Sequence, residues 1–146
     1  MRPKFVGLLA VLTLVACASG CGNRPPAGPN MADQQPVSGK ITFASGGPLK
    51  GGVITFYPKE VKDGSAVRYQ CAGNVDIKGG YVLGFNNDNA GAPAGEYVVV
   101  IEPADYNELK GANSSRIPKP YRDKSTTPLN NIVVPEGGTT LDFVLK

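Results

Sequence analysis

Histidine and tryptophan are both missing from the 146 residues of this chain. Histidine is the commonest general base and the commonest transition-metal ligand, so its absence excludes Ser-His-Asp and Cys-His catalysis. Without tryptophan, and with only 8% aromatic residues, a strong platform for stacking sugar rings is disfavoured. Lysine and arginine form no concentrated run, and the sequence therefore argues against nucleic-acid binding.

The apolar run at the N-terminus is too short to cross a membrane. It covers residues 5–16, whereas a membrane-spanning helix needs about 20 apolar residues. Arg2 and Lys4 give the residues before it a positive charge. A short basic start followed by an apolar run of this length is typical of a signal peptide, which we place at residues 1–16.

The motif Leu-Val-Ala-Cys at residues 14–17 ends this run. It closely resembles the bacterial lipobox, which marks a cysteine for lipid attachment. The resemblance implies that the chain is cleaved before Cys17, that the Cys17 thiol carries a diacylglyceryl group, and that the new amine is acylated, for example with palmitate. Several acyl chains together hold a protein on a bilayer, where a single chain binds only marginally.

Cys21 is an alternative lipidation site, because small residues also precede it, although position −3 is alanine rather than leucine. A cleaved signal peptide without a lipid is the remaining alternative. Ala18 follows Cys17, and no aspartate is present there to indicate retention in the inner membrane. The sequence thus favours a lipid anchor in the cell envelope, at the outer membrane.

Residues 17–35 hold the lipidated cysteine and a polar segment rich in proline, glycine and asparagine. Such a composition cannot bury enough apolar surface to fold, so we predict a disordered tether. Residues 22–35 would reach roughly 40 Å if largely extended. The tether would hold the following domain clear of the lipid surface.

Short apolar-polar alternations dominate residues 36–146, and glycine (19) and proline (13) punctuate them. Alternation with a period of two indicates β-strands, and this density of turn residues indicates short ones. The pattern predicts a single all-β domain, a Greek-key β-sandwich of about seven strands. The predicted strands cover 37–43, 53–57, 66–72, 75–77, 81–85, 97–101, 132–134 and 141–145.

Three segments resemble carboxypeptidase-regulatory-like domains, which have a transthyretin-like (prealbumin-like) sandwich related to Ig-like folds. VSGKITF to VITF at 37–56 is similar to the family's opening hairpin, and GYVL at 80–83 and AGEYVV at 94–99 are similar to two later strands. IPKPYRD at 117–123 resembles a segment of small bacterial lipoproteins, with Pro120 where lysine is common. The resemblance implies fold and anchoring, and it implies no peptidase activity.

A binding patch is the first candidate site. Tyr121, Arg122 and Asp123, together with Tyr106, combine residue types that anchor interfaces and can contact a sugar ring. The alternative is that Tyr121 closes the edge of the sandwich while Arg122 and Asp123 pair at the surface.

Two further features have a structural alternative. The oxygen-rich residues 86–89 could hold Ca²⁺, but a turn explains the same composition, and we predict no metal site. Cys71 could form a disulfide with Cys21 in an oxidising envelope, or it could be a buried thiol. No residue pattern indicates a cofactor.

The sequence therefore predicts a lipid-anchored, non-enzymatic envelope protein. None of the 12 acidic residues lies in a recognisable catalytic motif. The expected role is a structural or protein-interaction module, and the alternative is a module that binds polysaccharide or peptide. The expected partners are membrane lipid, through the acylated cysteine, and an envelope protein or polysaccharide.

Overall fold

The computed structural model describes residues 34–59, 70–84, 91–104 and 112–146. These residues are almost entirely β-structure, and their only helices are two short 3-10 helices, Ser114–Arg116 and Lys119–Arg122. This confirms the all-β prediction, while the Greek-key order of connections stays a prediction. The strands are β1 (Gln34–Gln35), β2 (Val37–Phe43), β3 (Val53–Pro58), β4 (Cys71–Asn74), β5 (Gly80–Val82), β6 (Ala92–Pro93), β7 (Gly95–Glu102), β8 (Ile132–Val134), β9 (Thr139–Thr140) and β10 (Phe143–Leu145).

Two four-stranded sheets form the sandwich. In the first sheet β2 is central, with β5 antiparallel on one side and both β9 and β10 parallel on the other. The second sheet has the order β4-β3-β7-β8 and is antiparallel throughout. Strands β1 and β6 form a separate antiparallel pair, so Gln34 and Gln35, which were predicted to end the disordered tether, belong to the folded domain. The first sheet therefore places β10, near the end of the domain, beside β2, near its start.

The core lies between the sheets and is filled by alternate residues of each strand. Phe56 and Tyr97, both fully buried, meet edge to face with ring centroids 5.7 Å apart. Tyr81 and Phe143 of the first sheet stack at 6.2 Å. Burying one such side chain contributes about 1.5–3 kcal/mol. The other fully buried large residues are Val37, Ile41, Leu49, Ile54, Leu83, Val99, Ile101, Ile117, Val134 and Leu145.

The two sheets touch along the β4–β5 side. The amide of Gly84 donates to the carbonyl of Ala72 at 2.8 Å, and Val75 forms a bridge with Tyr81. A Cβ at Gly73 would lie 2.3 Å from the carbonyl oxygen of Val82. Glycine at position 73 thus lets the two backbones approach closely enough for this contact.

The prediction of a strand at 75–77 is wrong. Strand β4 ends at Asn74, and Ile77 lies in a turn with 54% of its surface exposed. The carboxylate of Asp76 accepts hydrogen bonds from the amides of Lys78, at 2.6 Å, and Gly80, at 2.9 Å. These local bonds stabilise a turn in preference to a strand.

The opening segments, 37–43 and 53–57, are strands as predicted, but they do not form a hairpin. Strand β2 belongs to the first sheet and β3 to the second. Residues 44–52 carry the chain across from one sheet to the other, and Leu49 in this crossing is fully buried. Alternation identified the two strands but contained no information about their partners.

The sandwich has two distinguishable ends. At the end we call the entry pole, β1 pairs with β6, and the Gln35 side chain accepts a bond from the amide of Gly137 at 2.8 Å. At the opposite end, the far pole, lie the turns 44–52 and 76–79, which are joined to Ile41 by backbone hydrogen bonds. The seven residues of β2 separate the poles by about 20 Å.

Candidate functional site

The segment that contains three of the four predicted patch residues is a long irregular connection, residues 113–129, which we call the strap. Its first residue, Asn113, is fixed to the far pole by three hydrogen bonds. The Asn113 amide donates to the Lys50 carbonyl at 3.0 Å, and the side chain accepts from the Lys50 amide at 2.7 Å. The Asn113 side chain also donates to the Pro48 carbonyl at 3.1 Å. The start of the strap is thus joined directly to the crossing between the sheets.

Tyr121 lies in the second 3-10 helix and points into the core. It is 6% exposed, and its hydroxyl oxygen accepts a bond from the amide of Lys146 at 3.2 Å. Ile117, one turn earlier, is also buried. The ring of Tyr121 therefore packs between the sheets, as in the alternative considered from the sequence, and its faces are not open for stacking on a ligand.

Arg122 and Asp123 each bond within the strap and do not pair with each other. The Arg122 guanidinium donates to the carbonyl of Ile117 through Nε, at 2.8 Å, and to that of Ser115 through Nη2, at 2.7 Å. The carboxylate of Asp123 accepts from the hydroxyl and the amide of Ser125, and these bonds lower the pKa of Asp123. Tyr106, the fourth predicted patch residue, lies outside the described residues.

The end of the strap continues the edge of the second sheet beyond β8. The hydroxyl of Thr127, itself buried, donates to the carbonyl of Val99 at 2.8 Å, and the amide of Val99 donates to the carbonyl of Leu129 at 2.8 Å. The strap therefore satisfies backbone groups of β7 that would otherwise form an open edge. The strap thus closes this side of the sandwich beside β7.

The outer surface of the strap is basic, which corrects the inference from the sequence that lysine and arginine are nowhere concentrated. The Arg116 guanidinium lies over the ring of Phe43, 5.0 Å from its centroid, and the Lys124 amine lies 5.1 Å from the centroid of Tyr57. Lys119 is exposed. Four basic residues and one acidic residue within 116–124 are the signal in the sequence that could have revealed this surface.

The other predicted sites are only partly described. Cys71 lies half-buried in β4, and burial raises the pKa of its thiol. Cys17, Cys21 and residues 86–89 lie outside the described part of the chain, so lipidation, the disulfide and calcium binding stay predictions. The described ranges contain no group of three histidine, cysteine or acidic side chains that could hold a metal ion. They also contain no helix long and apolar enough to span a membrane.

Comparisons of the chain with protein-family models, with curated proteins and with solved structures found no match.

Proposed function

We propose that the protein is a lipid-anchored, non-enzymatic β-sandwich of the cell envelope, which acts as a structural or protein-interaction module. The observation that carries the proposal is the motif Leu-Val-Ala-Cys at 14–17, at the end of an apolar run of signal-peptide length. Acylation of Cys17 would fix the N-terminus to a bilayer, at the outer membrane. No histidine is available for a general base or a metal ligand.

The position at which the chain enters the sandwich supports this proposal. The first described residues, Gln34 and Gln35, pair with β6 at the entry pole. With the anchor upstream of Gln34, the tether would join the sandwich at the entry pole, and the far pole would be the end more distant from the point of attachment. The turns 44–52 and 76–79, together with the start of the strap, would then be presented to partners.

We further propose that the domain is related to the carboxypeptidase-regulatory-like sandwiches. The support is the set of similar segments at 80–83, 94–99 and 117–123, combined with the all-β architecture of two facing sheets. The family relation implies no peptidase activity for this chain.

Single cysteine substitutions test the anchor. Cells that express the wild type, Cys17→Ser or Cys21→Ser are fractionated, and each protein is examined for acylation by mass spectrometry. We expect the wild type and Cys21→Ser to be acylated in the membrane fraction, and Cys17→Ser to be unacylated. An acylated Cys17→Ser with an unacylated Cys21→Ser would move the anchor to Cys21.

An activity screen tests the non-enzymatic part of the proposal. The purified chain is assayed against peptide, ester and glycoside substrates, and we expect no turnover above the buffer control. Hydrolysis that a single substitution of an acidic residue abolishes would contradict the proposal.

A second candidate function is a polysaccharide- or peptide-binding module. The observation that favours it is the basic outer surface of the strap, because a strap that only closed the sandwich would not require exposed cations.

A further inference from the structure

The strap concentrates positive charge in a short length of chain. Residues 116–124 include Arg116, Lys119, Arg122 and Lys124 against one acidic residue, Asp123, so four charges minus one leave +3. Arg116, Lys119 and Lys124 are exposed. Nine residues span no more than about 30 Å even when fully extended, and two 3-10 helices shorten this segment further.

This charge is not neutralised within the described residues. The only ion pair among them joins Lys59 and Glu96, at 3.7 Å, and both belong to the second sheet rather than to the strap. Asp123, the one acid of the segment, faces Ser125. The strap therefore presents a positive potential to solvent, and such potentials attract anionic partners.

The cations are also held in position before any partner arrives. Arg116 and Lys124 rest on the rings of Phe43 and Tyr57. The strap backbone beneath them is fixed at one end by Asn113 and at the other by Thr127. Binding to groups that are already ordered costs less conformational entropy, and this increases affinity.

The surface lacks the features of an interface with a folded protein. Such interfaces depend on buried aromatic and apolar anchors. The large exposed hydrophobic residues of the described chain all lie on other elements, and Tyr121 points inward. Those exposed residues are Ile77, Val82, Val133 and Val144. Charge without an apolar centre fits a flexible polyanion better than a globular partner.

We propose that the strap binds an anionic polysaccharide through Arg116, Lys119 and Lys124. The proposal rests on the second candidate function above and specifies its ligand class, a polymer that carries carboxylate, sulfate or phosphate groups. Recognition is electrostatic, so it is independent of sugar stacking and weakens as salt screens the charges. The neutral part of each sugar contributes little.

Two dextrans that differ only in charge provide the test. The full chain, purified from membranes in a nonionic detergent, is titrated with dextran sulfate and with unmodified dextran at low and at high salt. We expect saturable binding of dextran sulfate alone, weakened by salt. Lys119→Gln with Lys124→Gln should bind about tenfold more weakly, about threefold for each exposed charge.

The matched control is the double variant Lys40→Gln with Lys78→Gln, which removes the same charge from exposed positions outside the strap. It should retain wild-type affinity within about twofold, and all three proteins should have the same melting temperature because surface substitutions of this kind are close to neutral.

Three results would overturn the proposal. The first is equal binding of the two dextrans, and the second is an equal loss in both double variants. Poly-glutamate is titrated in the same assay, and the third result is binding of poly-glutamate without binding of dextran sulfate. That result would assign the strap to an acidic peptide. Because the assay is carried out in detergent, its outcome is independent of whether Cys17 is the acylated residue.

Discussion

At the scale of single residues, three buried tyrosines form hydrogen bonds with backbone groups, and two of them, Tyr81 and Tyr121, connect distant parts of the chain. Tyr81 donates to the carbonyl of Leu141 at 2.7 Å, Tyr97 donates to that of Pro93 at 2.7 Å, and Tyr121 accepts from Lys146. Each ring fills the core while its hydroxyl satisfies a backbone group at a strand end. These residues thus contribute to packing and to the positions of the connections.

Burial of two of these tyrosines makes the stability of the fold sensitive to alkaline pH. It raises the pKa of Tyr97 and of Tyr81 above the ordinary value of about 10, and the charge of Asp142 adds to the effect at Tyr81. Since the folded-state pKa is higher than the unfolded one, this contribution to stability is complete below about pH 10 and is lost as the pH rises through the folded-state pKa.

We therefore expect the free energy of unfolding to fall as the pH rises above about 10, and to fall less steeply in Tyr81→Phe with Tyr97→Phe. Urea unfolding at several pH values measures this. Both proteins should carry Cys71→Ala. Burial also raises the pKa of the Cys71 thiol, so ionisation of this thiol would likewise lower the free energy of unfolding as the pH rises. Identical pH profiles for the two proteins would contradict this explanation.

The prediction about Tyr121 shows what a residue type can and cannot reveal. The tyrosine and arginine at 121 and 122 suggested a binding patch, with closure of the sandwich by Tyr121 as the alternative. Tyr121 lies in the core. Whether a tyrosine faces the core or a ligand depends on neighbours far away in the sequence, here Lys146, which is 25 positions away. One sequence does not show that Tyr121 and Lys146 are close in space.

At the scale of elements, strands with clear alternation were predictable and short-range exceptions were not. Strands β2, β3 and β7, the three longest of the described chain, coincide closely with the predicted 37–43, 53–57 and 97–101. The segment 75–77 has too few residues for alternation to outweigh the local hydrogen bonds of Asp76.

The strap could not be predicted because its bonds are made to distant elements. Residues 113–129 show no period, and their partners are Lys50, Val99 and Lys146. The sequence shows only that residues 104–129 have no clear apolar period. The structure has it packed across the side of the sandwich.

Asn113 is the residue on which the start of the strap depends most. Asn113→Ala removes both side-chain bonds and leaves the Lys50 amide and the Pro48 carbonyl without these partners. We expect a loss of about 1–3 kcal/mol in the free energy of unfolding, measured by urea titration.

Asn131→Ala is the control for this substitution. Among the described residues, the Asn131 side chain has one hydrogen bond, which it accepts from the exposed amine of Lys59. It should change stability by less than about 0.5 kcal/mol. Equal effects of the two substitutions would show that the strap is not held through Asn113.

At the scale of the whole molecule, the fold is closed by its last strand. β10 lies parallel to β2, and its Phe143 and Leu145 are buried in the core. Removing residues 143–146 should therefore lower the free energy of unfolding by about 3–6 kcal/mol, a large part of a typical total of 5–15 kcal/mol, because two large buried side chains are lost.

Near-ultraviolet circular dichroism and urea titration measure the effect of this truncation. Val144→Ser, on the exposed side of the same strand, is the control and should fold normally. A truncated chain with the wild-type free energy of unfolding would contradict the role given to β10.

The two poles give the whole molecule a direction. With the chain anchored through Cys17, the entry pole would be the end joined to the tether and the far pole the end more distant from it. The basic strap begins at the far pole and runs along the side of the sandwich, so it would remain accessible to a polymer of the envelope.

The most direct test of this account is the mass of the N-terminal peptide of the protein isolated from membranes. We predict a peptide that begins at Cys17 and carries a diacylglyceryl group and an amide-linked acyl chain. A mature chain that begins elsewhere, or a Cys17 without lipid, would contradict the central claim that this sandwich is held at a membrane by its first residue.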